Sequence, residues 1–284
     1  MANGAASLVQ ICPEIADIVP TLVGICGPTW NWEPDRKPLT YPVFVAELCF
    51  NLVNYCYWGD DGVSRPGGGA TVARKAVFAE FGLTQWPTLD ECVASADRED
   101  GMSARIETLA ALFQGSDYPM AKERAEMLRA VIPVLPTLKP IWEICAWDAA
   151  TETEVAAVLT AVPAFGGDPF FKRLFLFFML LYRIYGRCEP LARTIPLPSD
   201  YQVPKVLRAA GVLTYSETLA REVDSGNLIS AGSPMEMAIR ASAIIAVERI
   251  ATATRCSEEA TDGWLWACRD KVLAKHHLTR TANY

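Results

Sequence analysis

The 284-residue chain predicts a mainly α-helical single domain with at most minor β structure. Helix-start chemistry recurs along the sequence, and the apolar residues that follow it keep helical rather than alternating spacing. Runs that would suit strands carry prolines: residues 131–135 read Val-Ile-Pro-Val-Leu, and the proline removes a ladder donor. No internal repeat, low-complexity tract or Pro/Ser-rich linker divides the sequence. The expected organisation is an N-terminal helical extension over residues 1–40 followed by one domain over 41–284.

Taken in order, residues 41–58 are apolar-rich and end in the aromatic run Asn54-Tyr55-Cys56-Tyr57-Trp58. Residues 59–69, with Pro66 and three successive glycines, read as a loop. Glycine-rich loops can cradle phosphate, but no lysine-serine signature follows this one. Residues 71–81 read as a helix stopped by Gly82, and Asp117 with Pro119 introduces a helix running through Glu123, Arg124 and Leu128. Thr151 and Glu154 make a capping box for a helix that ends before Pro163. Residues 170–185 form a core helix closed by Gly186. A Pro-rich approach then carries Asp200 to the start of a short amphipathic helix that ends at Gly211. Ser233, Pro234 and Glu236 supply the N-cap, first and third positions of another helix, whose Met237, Ala241, Ile244, Val247 and Ala251 follow helical spacing.

Composition narrows the function. A net charge of −7 and a pI near 5.0 oppose a general nucleic-acid binder, which needs a basic footprint. A small anion remains compatible, since a few local Lys or Arg suffice for one phosphate. The nine cysteines are scattered with no CxxC, and the two histidines, His276 and His277, sit near the C-terminus. No metal, no cofactor and no disulfide framework is expected; free thiols in a reducing cytoplasm fit that usage. The start of the chain lacks a basic n-region and a cleavage site, so no secretory signal is read. The most apolar run, 174–182, is flanked by Lys172, Arg173 and Arg183 and falls short of the roughly 20 residues that span a bilayer. The expectation is a soluble protein.

Seven blocks, in order, resemble the queuosine salvage family, the queuosine 5′-phosphate N-glycosylase/hydrolases. They are NYCYW (54–58), Pro119-Met120 with Glu123-Arg124, FFKR (170–173), SDYQVPKVLRAAGVLTYS (199–216), GSPMEMAIRA (232–241), DGWLW (262–266) and HHLTRTANY (276–284). The resemblance runs from about residue 41 to the end. Gln202 stands where the family has Arg, Gly263 replaces an aromatic, and Met235 and Met237 flank Glu236 where a second acid is usual. The resemblance implies a fold like that of the helix-hairpin-helix DNA glycosylases. It also implies hydrolysis of the bond between queuine and ribose 5-phosphate, in salvage of the base for tRNA modification.

Breaking an N-glycosidic bond builds positive charge on the sugar, so the chemistry needs a fixed anion near C1′. Queuine is a 7-deazaguanine without N7, which closes the usual route of protonating that atom. Asp200 is the candidate for stabilising the sugar cation or activating water; the plain alternative is a helix-start or turn carboxylate. Asp262 is the second catalytic candidate, or the acceptor for adjacent N–H groups of the base, or simply an N-cap. Tyr57, Trp58 and Trp264 are candidate stacking faces, equally readable as core. Lys172 is a candidate phosphate ligand, or a neighbour of Asp200, or a solvated helix end. Ser199, Tyr201, Gly263, Arg240 and His277 complete the substrate-binding candidates. An i,i+4 pair with Glu236 already accounts for Arg240, and a tail such as the one holding His277 ordinarily frays. The expected partner is a small nucleotide, with no nucleic acid and no membrane. Rival readings are a diverged N-glycosidase for another modified nucleoside or nucleotide, and a non-catalytic base-binding protein of the same fold.

Overall fold

The computed structural model describes residues 7–28, 36–59, 69–189 and 197–284, and these are mainly α-helical. In chain order the elements are β1 (Val9–Ile11), α1 (Ile15–Cys26), α2 (Tyr41–Val53), α3 (Gly69–Glu80), α4 (Leu89–Ser95), α5 (Met102–Gln114) and α6 (Ala121–Arg129). They continue with α7 (Leu135–Ala146), α8 (Glu152–Ala161), α9 (Lys172–Tyr185), α10 (Gln202–Ala209), β2 (Leu213–Tyr215), α11 (Glu217–Ser225), α12 (Pro234–Thr254) and α13 (Glu258–Ala267). The chain forms two compact units, each discontinuous in sequence: Met1–Trp32 with Pro196–Thr281, and Glu33–Ile195 with Ala282–Tyr284. The N-terminal stretch holds a helix, α1, preceded by the three-residue strand β1. No described helix is long and apolar enough to cross a membrane.

In the unit built on Glu33–Ile195, α2 is buried along all thirteen residues, with α3, α6, α7 and α9 packed on it. Pro42 sits in its first turn, where a missing N–H costs nothing. The expected helix at 71–81 spans Gly69–Glu80, and the glycine-rich stretch before it lies almost wholly outside the described residues. The Thr151–Glu154 capping box is formed at α8. The core helix opens at Lys172 rather than 170, because Asp168 accepts the N–H groups of Phe170 and Lys172 and Phe171 turns left-handed at φ 50°. Residues 131–135 make no strand; Ile132–Val134 is a 3₁₀ turn leading into α7. Helices α4 and α5, which carry no sequence expectation, occupy the stretch between Gly82 and Asp117.

In the other unit, β1 pairs antiparallel with β2 in the register Val9↔Tyr215 and Ile11↔Leu213, the minor β structure expected. Helix α12 is its longest element, and α1, α10 and α13 pack against it. Its start follows the predicted chemistry: Ser233 Oγ accepts the Glu236 N–H at 3.3 Å, with Pro234 in the first turn. The Glu236 carboxylate departs from a simple capping box, taking the Gly232 N–H at 3.1 Å and reaching forward to Arg240.

Candidate active site

Asp200 lies immediately ahead of α10 and is 9% exposed. Its Oδ1 accepts the Gln202 N–H at 2.7 Å, a turn bond that fixes the carboxylate relative to the helix start. Among the described residues no donor meets Oδ2, so half of the buried carboxylate is uncommitted. Two residues on, Gln202 Oε1 is buried and also lacks a partner among the described residues. A buried acceptor such as Gln202 Oε1 calls for a reason, and a ligand or solvent donor is the ordinary one.

Behind Asp200 the backbone is clamped from α12. Arg240 donates from Nε to the Ser199 carbonyl at 3.0 Å, and Ser199 Oγ returns a bond to the Arg240 carbonyl at 3.1 Å. Arg240 also pairs with Glu236 at 3.1 Å, both side chains buried to within 2%. Thus Ser199 and Arg240, both predicted to touch substrate, meet each other. The Tyr201 and His276 rings meet at a tilt of 38°, with centroids 4.6 Å apart. His276 Nδ1 lies 2.8 Å from the His277 carbonyl, which can only accept, so the ring proton sits on Nδ1. Burial pulls the His276 imidazole below its ordinary 6.5, while the nearby Asp200 charge pushes the other way.

The C-terminal tail does not fray. The Ile229 N–H donates to the Leu278 carbonyl at 2.8 Å, and His277 is 1% exposed. Burial first, then the charges of His276 and Arg240, lower the His277 imidazole from 6.5 to about 3. A folded value below the unfolded one favours the neutral ring, so this contribution is complete above pH 6.5 and fades as pH falls toward 3. Urea midpoints measured across that range are expected to fall by up to about 1.4 kcal/mol of stability per pH unit from this group. His277→Gln should flatten the slope between about pH 6 and about pH 4; an unchanged slope would show that His277 titrates normally.

Asp262 sits within α13, four residues past its first position, and the N-cap is Ser257. The N-cap alternative for Asp262 is therefore set aside. Asp262 and Ser199 line one hollow together with Leu197, Val203 and Val247, of about 10 Å³, enough for a water molecule and too small for a heterocycle. Gly263 is buried in the same helix, and Trp264 is fully buried, its indole N–H donating to the Gly27 carbonyl at 3.1 Å.

Tyr57, Trp58 and Lys172 belong to the other unit and are buried there. Five successive carbonyls at the C-terminal end of α2 are met by three cations of α6 and α9. Arg173 takes Leu52, Lys172 takes Asn54 at 3.3 Å, and Arg124 takes Val53, Tyr55 and Cys56. Lys172 is not a solvated helix end. Tyr57 donates to the Val53 carbonyl at 3.1 Å, and the Arg124 guanidinium lies over the Tyr55 and Tyr57 rings. Cations at a helix C-terminus offset its dipole, and here they fix the whole aromatic run. Among the described residues, no group of three His, Cys, Asp or Glu is placed to hold a metal ion.

The family described as Queuosine salvage protein matches residues 189–284, the stretch that holds Ser199, Asp200, Arg240, Asp262 and His277. The Queuosine 5′-phosphate N-glycosylase/hydrolase of Sphaerobacter thermophilus is 29% identical over 297 residues, covering 92% of this chain and 87% of that protein. The chain is thus similar to proteins of the queuosine salvage family, over its C-terminal third in the family match and over most of its length in this relative. A second protein of the same name, from Nematostella vectensis, is 44% identical over 57 residues, 20% of this chain and 16% of that protein.

Three residues of this arrangement, Gln202, Glu236 and His276, are not among the site residues predicted from the sequence. Gln202 showed itself only as a departure from the family pattern. Glu236 was visible as a helix-start acid. His276 carried no local signal, because its place against Tyr201 depends on a contact between segments 75 residues apart, 201 and 276.

Proposed function

We propose that this protein hydrolyses the N-glycosidic bond of queuosine 5′-phosphate in the cytoplasm, without metal or cofactor, releasing queuine for salvage into tRNA modification. Water adds across the bond: ribose 5-phosphate receives the hydroxyl at C1′, and the base leaves with the proton. One observation carries the assignment of chemistry. Asp200 is a buried carboxylate with one oxygen pinned by the Gln202 N–H and the other uncommitted among the described residues. A carboxylate held in a fixed geometry of this kind stabilises a developing oxocarbenium ion with little reorganisation. Its free oxygen can also orient or deprotonate the attacking water.

Asp262 is the supporting acid, placed with Ser199 around a water-sized hollow. Lys172, Tyr57, Trp58, Tyr201, Gly263 and Trp264 remain proposed substrate contacts, supported by their match to family blocks. The helix-hairpin-helix likeness is supported by an aspartate just ahead of a short helix. Incubation with queuosine 5′-phosphate, GMP and AMP in parallel, followed by mass spectrometry, tests the reading. Release of queuine alone is the expected result. Release of guanine or adenine instead would mark a diverged specificity, for which Gln202 and Gly263 are the motive, and release of no base would point to a binding protein.

A further inference from the structure

We infer that Arg240, held by Glu236, is a positioning residue: it fixes the Ser199–Asp200 peptide and thereby the carboxylate of Asp200, and does not contact substrate. The inference rests on the reading of Asp200 given above. Its basis is a closed circuit of hydrogen bonds. Arg240 Nε donates to the carbonyl of Ser199, the residue bonded directly to Asp200, at 3.0 Å. Ser199 Oγ donates back to the Arg240 carbonyl at 3.1 Å, so the two residues grip each other in both directions. Arg240 Nη1 meets Glu236 Oε1 at 3.1 Å, and Glu236 Oε2 takes the Gly232 N–H at 3.1 Å. The clamp is thus anchored to the start of α12 rather than to a mobile side chain.

Its hydrogen bonds give Arg240 this role. Arg240 is 1% exposed and Glu236 2%, and the neutral His277 lies near enough for its charge state to feel Arg240. Two arms of the enclosed guanidinium, Nε and Nη1, are engaged by protein acceptors. The planar fork is also what the geometry requires, since Nε serves Ser199 while Nη1 serves Glu236. A lysine ammonium is a single point and cannot reach both in one arrangement. With the Ser199 carbonyl released, the following turn loosens, and the reading on Asp200 is the Gln202 N–H bond at 2.7 Å.

Arg240→Lys tests this. Turnover of queuosine 5′-phosphate is expected to fall about tenfold with KM changed less than about twofold, the size of effect that a displaced catalytic group gives. On an Asp200→Asn background the same substitution should cost less than about twofold more, because residues acting through one group are not additive. Amide hydrogen exchange at Gln202 should quicken by about tenfold, a measurement that needs no substrate. A raised KM with turnover kept would overturn the inference in favour of substrate contact. A full multiplicative loss on the Asp200→Asn background, or unchanged Gln202 exchange, would overturn it as well. If the wild type releases no base, the functional reading fails by itself, and Gln202 exchange still decides whether the clamp holds Asp200. Should Arg240→Lys fail to fold, Ser199→Ala removes one arm of the grip and is read by the same exchange at Gln202, with acceleration supporting the clamp and no change refuting it.

Discussion

Asp200→Asn is expected to lower turnover of queuosine 5′-phosphate by at least about a hundredfold, the scale for losing a central electrostatic group, and to leave the fold intact. The two halves of that result come from different oxygens. An asparagine retains Oδ1, which still accepts the Gln202 N–H, so the turn ahead of α10 survives. What disappears is the negative charge, and with it the stabilisation of positive charge on the ribose. Asp200→Ala makes the contrast: it loses the turn bond as well and should cost about 1 kcal/mol of stability, comparable to deleting a helix-start acceptor. Single-turnover rates with matched thermal midpoints separate the two effects. Turnover within a few-fold of wild type in Asp200→Asn would remove this carboxylate from the reaction.

The parts of this fold that were legible in the sequence are those fixed by neighbours in the chain. The Thr151–Glu154 box, the Ser233-Pro234 start of α12 and the stop at Gly186 all close within a few residues, so residue type and spacing suffice. The start of α13 had the same kind of signal, Ser257 followed by Glu258 and Glu259. Reading it would have placed Asp262 inside the helix from the outset. Helix α5 begins at a left-handed Gly101 with no side-chain cap, and α7 carries Pro140 within it, so neither advertises itself.

The site shows the same boundary. The i,i+4 pairing of Glu236 with Arg240 could be read from the sequence, whereas the bond from Arg240 to the Ser199 carbonyl spans 41 residues and could not. The tail from His276 onward has no helical or alternating period. Its order comes from the pairing of Leu278 with Leu228, which no local rule anticipates. Candidate residue types were therefore readable from the sequence, while the contacts that hold the Ser199–Asp200 backbone needed the tertiary structure.

The largest stability effect lies elsewhere. Glu47→Gln should destabilise the protein by about 3–5 kcal/mol, the cost of stranding one member of a buried ion pair. Arg74 grips both Glu47 oxygens, at 2.7 and 2.5 Å, with both side chains buried in the unit that α2 centres. Tyr185 donates its hydroxyl to the same carboxylate at 2.8 Å, and burial first, then Glu47, hold that hydroxyl well above its ordinary pKa, so it stays a donor. Glutamine keeps one acceptor but turns an amide NH₂ toward the guanidinium, leaving a positive charge enclosed by Phe50, Phe78 and Trp86. Urea unfolding should show a lower midpoint with an unchanged slope. Glu47→Met combined with Arg74→Met should recover a good part of the loss, because no charge is then left without a partner. Against a total stability of about 5–15 kcal/mol, the single change would remove a large share of the margin and lower the temperature at which activity is lost, without Glu47 touching any substrate. Activity measured well below the unfolding midpoint should therefore be near normal, and a deep loss there would tie Glu47 to the reaction itself.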